Sequence, residues 1–384
     1  MGKHILFLVH GMGSYGTFKD GKWVQDTKGW FKEASKSLID VYDTFIKSDP
    51  KLGKGVDFDD RFVIETIEFD SWLEHYRTDW QYQAGTWDAF DLDSGVAGKI
   101  TDFFKGNTEK SFLWTHVADV LLYTSPLLKD AIHAHVAKQI LDALRRHHQA
   151  LSLDNWSILA HSLGTAVINN AIPALMAEIS QDPELKAALV PPKVICMAAN
   201  VARALSPPEA AYSDRLVPSG PWGVGHYLNC SHTLDPFCRI RPFQPSDAKW
   251  VDAPGYVPLT GLSGYYLADE FIDWAQDWNN FDKLASVVPH GFSHYMRQPK
   301  VVAQLWPRLR GRLPSESANL ESAVRDANEK LVRDTVGDHL RLKLEQEVRQ
   351  RLEGALGDTP LPTTKEAVAK LLPTLLGKLK GFQS

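Results

Sequence analysis

Cysteine is scarce: three residues in 384, Cys196, Cys230 and Cys238. They are too few and too deeply set in apolar surroundings for a disulfide framework, and they read as buried thiols in a reducing compartment. No apolar run approaches the roughly 20 residues that span a bilayer. The first residues lead straight into an apolar core strand, without the charged and small-residue segments of a signal peptide. These absences set the expectation of a cytoplasmic protein, or one exported without a cleavable signal peptide. Charge of one sign is missing too: 42 basic against 47 acidic residues leave a net charge of −5, and no nucleic-acid partner is expected. The 14 histidines include none in a recognisable metal motif. His133 and His135 stand two apart, on different faces of a helix, and the pair His147-His148 ends a basic helix, so no metal and no cofactor is expected.

What is present is a set of turn motifs in a telling order. Trp156-Ser157-Ile158-Leu159-Ala160-His161-Ser162-Leu163-Gly164 is an apolar strand running into small-x-Ser-x-small, followed by a helical run from Thr165 to Ile179. That is the pattern of a nucleophile elbow: bulky side chains two residues either side of the serine would clash, and the tight turn thrusts the hydroxyl clear of the backbone. The amide of Leu163, at a helix start, then becomes an oxyanion donor. At the N-terminus, Ile5–Val9 reads as a strand buried on both faces. The following His10-Gly11-Met12-Gly13 offers a second oxyanion donor in the amide of Met12, with glycines that let backbone approach a substrate oxygen. His10, Gly11, His161 and Gly164 are expected to support these two turns.

A third strand, Tyr227–His232, leads to Asp235-Pro236-Phe237. An acid just past a strand end, stiffened by proline, suits the carboxylate that orients a histidine. Asp214 precedes that strand, and Asp247 and Asp252 sit in a proline-rich loop where solvated aspartate is the default. The base is sought in Pro289-His290-Gly291-Phe292-Ser293-His294-Tyr295, and either histidine there follows the acid and precedes a helix.

Taken together, these segments resemble the α/β-hydrolase superfamily and its serine lipases and esterases, whose chain order is Ser, Asp, His. The resemblance covers about Lys3 to Leu313. Asn229 on its strand, then Asp235-Pro236-Phe237-Cys238-Arg239-Ile240-Arg241-Pro242, is similar to DDHD-type phospholipases and to bacterial lipase-type effectors. Ala160 stands where many members carry glycine. The resemblance implies an α/β-hydrolase fold with a mostly parallel sheet flanked by helices. It also implies a catalytic triad of Ser162, Asp235 and His294, because in similar enzymes the catalytic histidine precedes Tyr or Trp and a helix start. The expected function is a serine carboxyl-ester hydrolase acting through an acyl-enzyme on lipid-like esters. A short-chain esterase or thioesterase is the alternative within the enzyme class, and a non-catalytic partner-binding protein is the alternative outside it.

The expected domain plan is a hydrolase core over 1–313 with insertions at 70–126 and 251–280, and a helical extension over 314–384. The first insertion is aromatic, with Trp72, Trp80, Trp87 and Trp114 among others, and reads equally as a lid or pocket wall and as plain core packing. In the extension, Val336, Leu340, Leu344, Val348, Leu352 and Leu356 form one stripe of an amphipathic helix. Thr363 and Glu366 offer a capping box to a last basic amphipathic helix. Thr363–Phe382 is thus a candidate for peripheral membrane contact, or for docking on its own domain or on a second copy in a homo-oligomer.

Overall fold

Strand β1 (His4–Val9) is buried at every position, and its alternate residues belong to different cores. Ile5, Phe7 and Val9 point into one apolar cluster, Leu6 and Leu8 into another. A strand covered on both faces needs apolar residues in sequence rather than in alternation, which is why the segment reads as one continuous run. Each such side chain, fully buried, contributes about 1.5–3 kcal/mol.

The computed structural model describes residues 2–12, 16–19, 22–25, 29–75, 123, 126–147, 155–188, 191–218, 224–263, 290–331 and 333–334. After β1 come an antiparallel hairpin, β2 (Gly16–Lys19) and β3 (Lys22–Gln25), then α1 (Trp30–Val41) and β4 (Phe62–Ile67). There follow α2 (Pro126–Arg146), β5 (Trp156–His161), α3 (Leu163–Gln181), β6 (Val194–Ala198), β7 (His226–His232), α4 (Pro236–Ile240) and β8 (Tyr256–Leu262). Helices α5 (Phe292–Met296) and α6 (Pro299–Leu309) close the sequence of elements that concern the site. Six strands form one sheet in the order β4-β1-β5-β6-β7-β8, with every pairing parallel. Helices α2 and α3 cover one face, and α1, α5 and α6 the other. This is an α/β fold of parallel sheet flanked by helices.

The strand order places the site. From β1 the chain goes outward to β4 at one edge, then returns to β5 on the other side of β1 and proceeds outward through β6, β7 and β8. The direction of winding reverses between β1 and β5, and in open α/β sheets the crevice at the carboxyl ends of such strands is where ligands bind.

Behind that crevice lies a buried amide network. Asn200 Nδ2 donates to Asn229 Oδ1 at 2.9 Å, and Asn229 Nδ2 donates to the carbonyl of Phe243 at 2.8 Å. Asn169 Nδ2 donates to the carbonyls of Ala210 and Ala211, and Tyr227 donates to Asn169 Oδ1.

Two expectations are corrected. The segment 251–280 is not wholly an insertion, because Tyr256–Leu262 is the edge strand of the sheet. Pro258 and mixed exposure along it are what an edge position permits, since proline cannot donate to a second ladder. The chain divides into compact units at 326/327, rather than at 313/314. Leu320 and Val324 are buried in the core of the first unit, on a helix that begins at 320. The described part of the second unit is helical, with Ala327 and Asn328 half-buried and the rest exposed. The amphipathic stripe from Val336 and the segment Thr363–Phe382 lie outside the described residues, as does most of the aromatic stretch 70–126. Of that stretch, Leu73 and Tyr123 are buried in the main core, with Trp72 packed against it. Among the described residues no helix is long and apolar enough to cross a membrane.

Candidate active site

Ser162 ends β5 in a backbone conformation that side chains rarely adopt, with φ 50° and ψ −124°. Strain of this kind costs on the order of 1–3 kcal/mol and persists only where the surroundings over-determine it. Here they do. The Ser162 amide donates to the carbonyl of Ala198 at 3.0 Å, which ties the turn to the end of β6. The Ser162 carbonyl accepts from both the amide and the hydroxyl of Thr165, and that hydroxyl accepts from the amide of Val201.

The two turns at the winding reversal are pressed together. A Cβ on Gly164 would stand 2.2 Å from the carbonyl oxygen of His10, and one on Gly11 would stand 2.8 Å from the Cβ of Ser162. Neither position admits a side chain without displacing backbone, so both glycines fix how closely the loop after β1 approaches the serine. His10 holds that loop. Its Nδ1–H donates to the carbonyl of Gly11 at 2.7 Å, its Nε2 accepts from the amide of Phe69 at 3.2 Å, and its ring stacks on Phe69. Burial lowers its pKa to about 4, so it stays neutral and keeps both bonds.

Asp235 lies at the other side of the crevice, just past β7, and is fully buried. Its Oδ1 accepts from the amide of Phe237 at 3.0 Å and so caps α4. Its Oδ2 accepts from Tyr295 at 2.7 Å, from His290 Nδ1 at 2.9 Å and from the Cys238 thiol at 3.4 Å. Burial opposes the charge on Asp235, but the hydrogen bonds from His290, Tyr295 and Cys238 outweigh it and hold the carboxyl below its ordinary range. An ionised carboxylate only accepts, so Nδ1 of His290 carries a proton, and in the neutral ring Nε2 is then the acceptor. That Nε2 is 2.8 Å from Ser162 Oγ. A continuous chain of hydrogen bonds thus runs from Ser162 through His290 to Asp235.

The histidine in this chain is His290, and the expectation of His294 is corrected. His290 occupies the turn before α5, where its ring is free to reach across the crevice. His294 is one turn inside α5, buried, with its pKa lowered to about 4 by burial and by the nearby charges of His232 and Arg297. No hydrogen bond from His294 to Ser162 or Asp235 exists in the structure. Tyr295, next to His294 in the chain, donates to the acid. The informative signal was Pro289-His290-Gly291, a histidine in a turn beside glycine rather than on a helix face.

His161 is also part of this arrangement. Its Nε2–H donates to the carbonyl of His290, and its ring packs against Trp30, Phe292 and the His290 ring. Burial first, then the neighbouring His290, lowers the pKa of His161 to about 3. Phe237 covers His290 from another side, with ring centroids 4.6 Å apart. Sequence reasoning missed the roles of Tyr295, Cys238, Thr165 and Phe237, because each depends on contacts between segments far apart in the chain. Leu163 is the first residue of α3 and is fully buried, and Met12 is buried beside Gly11. Gly13 lies outside the described residues. Asp214 pairs with Lys249, and Asp247 caps a helical turn, both away from the serine. Among the described residues no group of acidic, histidine and cysteine side chains is arranged to hold a metal ion.

A serine hydrogen-bonded to a histidine that is itself oriented by a buried carboxylate is equipped for nucleophilic attack on an electrophilic carbon. Comparison with protein-family models, with curated proteins and with solved structures finds no match to this chain.

Proposed function

We propose that this chain is a serine carboxyl-ester hydrolase of the α/β-hydrolase type, with Ser162 as nucleophile, His290 as general base and Asp235 as the orienting acid. The observation that carries the reading is the hydrogen-bonded chain from Ser162 Oγ to Asp235 Oδ2, set on a strained turn at the winding reversal of the sheet. A buried structural serine has no need of that strain or of a charged partner at second remove.

Ser162 Oγ attacks the ester carbonyl as its proton passes to His290 Nε2. Asp235 stabilises the imidazolium that forms and keeps the ring in the required tautomer. The oxyanion is received by the amides of Leu163, at the positive end of α3, and of Met12. Each such donor supplies ~2.7–4 kcal/mol of transition-state stabilisation. His290 returns the proton to the leaving alkoxide, and water, activated by the same histidine, releases the acid from the acyl-enzyme.

Lipid-like esters are the proposed substrates, on the aromatic content of the sequence over 70–126. The test is hydrolysis of p-nitrophenyl esters from acetate to palmitate, beside phospholipid vesicles, with wild type and Ser162→Ala. Turnover that needs Ser162 and rises with chain length, or on vesicles, is the expected result, and deletion of Thr363–Phe382 then reads the membrane contribution. A folded wild type with no Ser162-dependent turnover overturns the proposal.

A further inference from the structure

Tyr295 is buried in the core, and packing alone accounts for an aromatic ring there. It does not account for where the hydroxyl goes. β6 pairs with β7 only as far as Cys230, opposite Ala198. The amide of His232 lies beyond that pairing, and it donates to the Tyr295 hydroxyl at 3.1 Å. With one acceptor site of the oxygen filled by that backbone N–H, the phenolic hydrogen is directed away from it, onto Asp235 Oδ2 at 2.7 Å. Burial, with the Cys238 thiol and the Asp235 carboxylate beside it, pushes the phenol's pKa far up, so it remains a donor throughout the working range of pH.

We infer that Tyr295 is a positioning residue of this site, whose hydroxyl, anchored by the backbone of His232, holds Asp235 Oδ2 on the Nδ1–H of His290. The carboxylate needs such a holder. Its Oδ1 is committed to the Phe237 amide, and the thiol of Cys238 is a weak donor at 3.4 Å. Without Tyr295, the only strong partner of Oδ2 among the described residues is His290, the group that has to change charge during the reaction. Tyr295 therefore keeps the carboxylate in place in both charge states of the histidine. The acid's holder and the base also sit on one short segment, tied internally by the amides of His294 and Tyr295 to the carbonyl of Gly291.

This inference rests on the hydrolase reading, so its test uses a readout that separates the two. A fluorophosphonate labels an activated serine by forming an O–P bond with loss of fluoride, and its rate against pH is measured for wild type, Tyr295→Phe, Asp235→Asn and the double variant, below every thermal transition. Tyr295→Phe keeps the ring. It is expected to slow labelling roughly tenfold, the scale of one hydrogen bond to a charged group. It is also expected to move the acid limb to higher pH, because a carboxylate stripped of one donor favours the protonated histidine more strongly. In the Asp235→Asn background the same change is expected to do little, since the tyrosine acts through the acid. Labelling at the wild-type rate with an unmoved limb overturns the inference. So does equal slowing in both backgrounds, which a packing defect produces. A wild-type Ser162 inert to the phosphonate sinks the hydrolase reading and this inference together, whereas a reactive Ser162 with a silent Tyr295→Phe sinks the inference alone.

Discussion

Two buried polar networks are built on this sheet and differ in kind. The amide network of Asn169, Asn200 and Asn229 is neutral, and it terminates on backbone carbonyls of Phe243, Ala210 and Ala211. The network of Ser162, His290, Asp235 and Tyr295 holds an ionised group, includes a residue in a strained conformation, and ends on the hydroxyl of a serine. The first satisfies backbone that the sheet leaves unpaired, and its purpose is complete when every partner is met. The second keeps one group unspent. Burial of polar side chains therefore does not mark a reactive site by itself. Charge, strain and an open end together do.

The comparison breaks most visibly at its open end. Ser162→Ala is expected to bring ester hydrolysis to background while leaving the thermal transition little changed, because the one side-chain contact it removes is the hydrogen bond to His290 Nε2. The histidine assignment sharpens it next. His290→Ala is expected to match Ser162→Ala in activity, whereas His294→Ala is expected to retain turnover within a few-fold and to lose roughly 1–3 kcal/mol of stability for the cavity it leaves. Background activity in His294→Ala with full activity in His290→Ala would reverse the roles.

The amide network should respond in the opposite sense. Asn229→Leu strands Asn200 Nδ2 and the Phe243 carbonyl, at about 1–3 kcal/mol for each unsatisfied group. Denaturant titration is expected to show that loss, with kcat below the transition little changed. A kcat deficit without a stability deficit would place Asn229 in the reactive network after all.

The last test is a pH dependence. His10 and His161 have folded-state pKa values of about 4 and about 3, against 6.5 for the free side chain. Between pH 6.5 and 4 the unfolded chain binds protons that the folded chain does not, so stability is complete above that window and falls as pH drops through it. Thermal transitions across the window should show the decline, and His10→Gln should flatten it. An unchanged slope in His10→Gln would mean that its ring is not held neutral by burial.

Much of this was legible from local pattern. Trp156 to Gly164 announces its strand, turn and helix because the steric demands of the turn are met within nine consecutive residues. Strands β1 and β7 were legible as apolar runs, and helix α3 as the run that follows the turn. β8 was not, because an edge strand with proline and exposed residues lacks the apolar run that identifies its buried neighbours. The histidine was misplaced because the choice between positions 290 and 294 depends on where a five-residue helix begins, and helix boundaries are the weakest part of a sequence reading. Tyr295 belongs to no local motif, since its partners are His232 and Asp235, some sixty residues earlier.

The backbone of Ser162 has one further consequence. Its positive φ suits glycine better than any residue with a side chain, so Ser162→Gly is expected to yield a protein harder to melt and unable to turn over. On the hydrolase reading proposed above, a library of this gene selected for heat resistance alone would enrich for inactive variants at codon 162, so every survivor needs scoring for turnover as well.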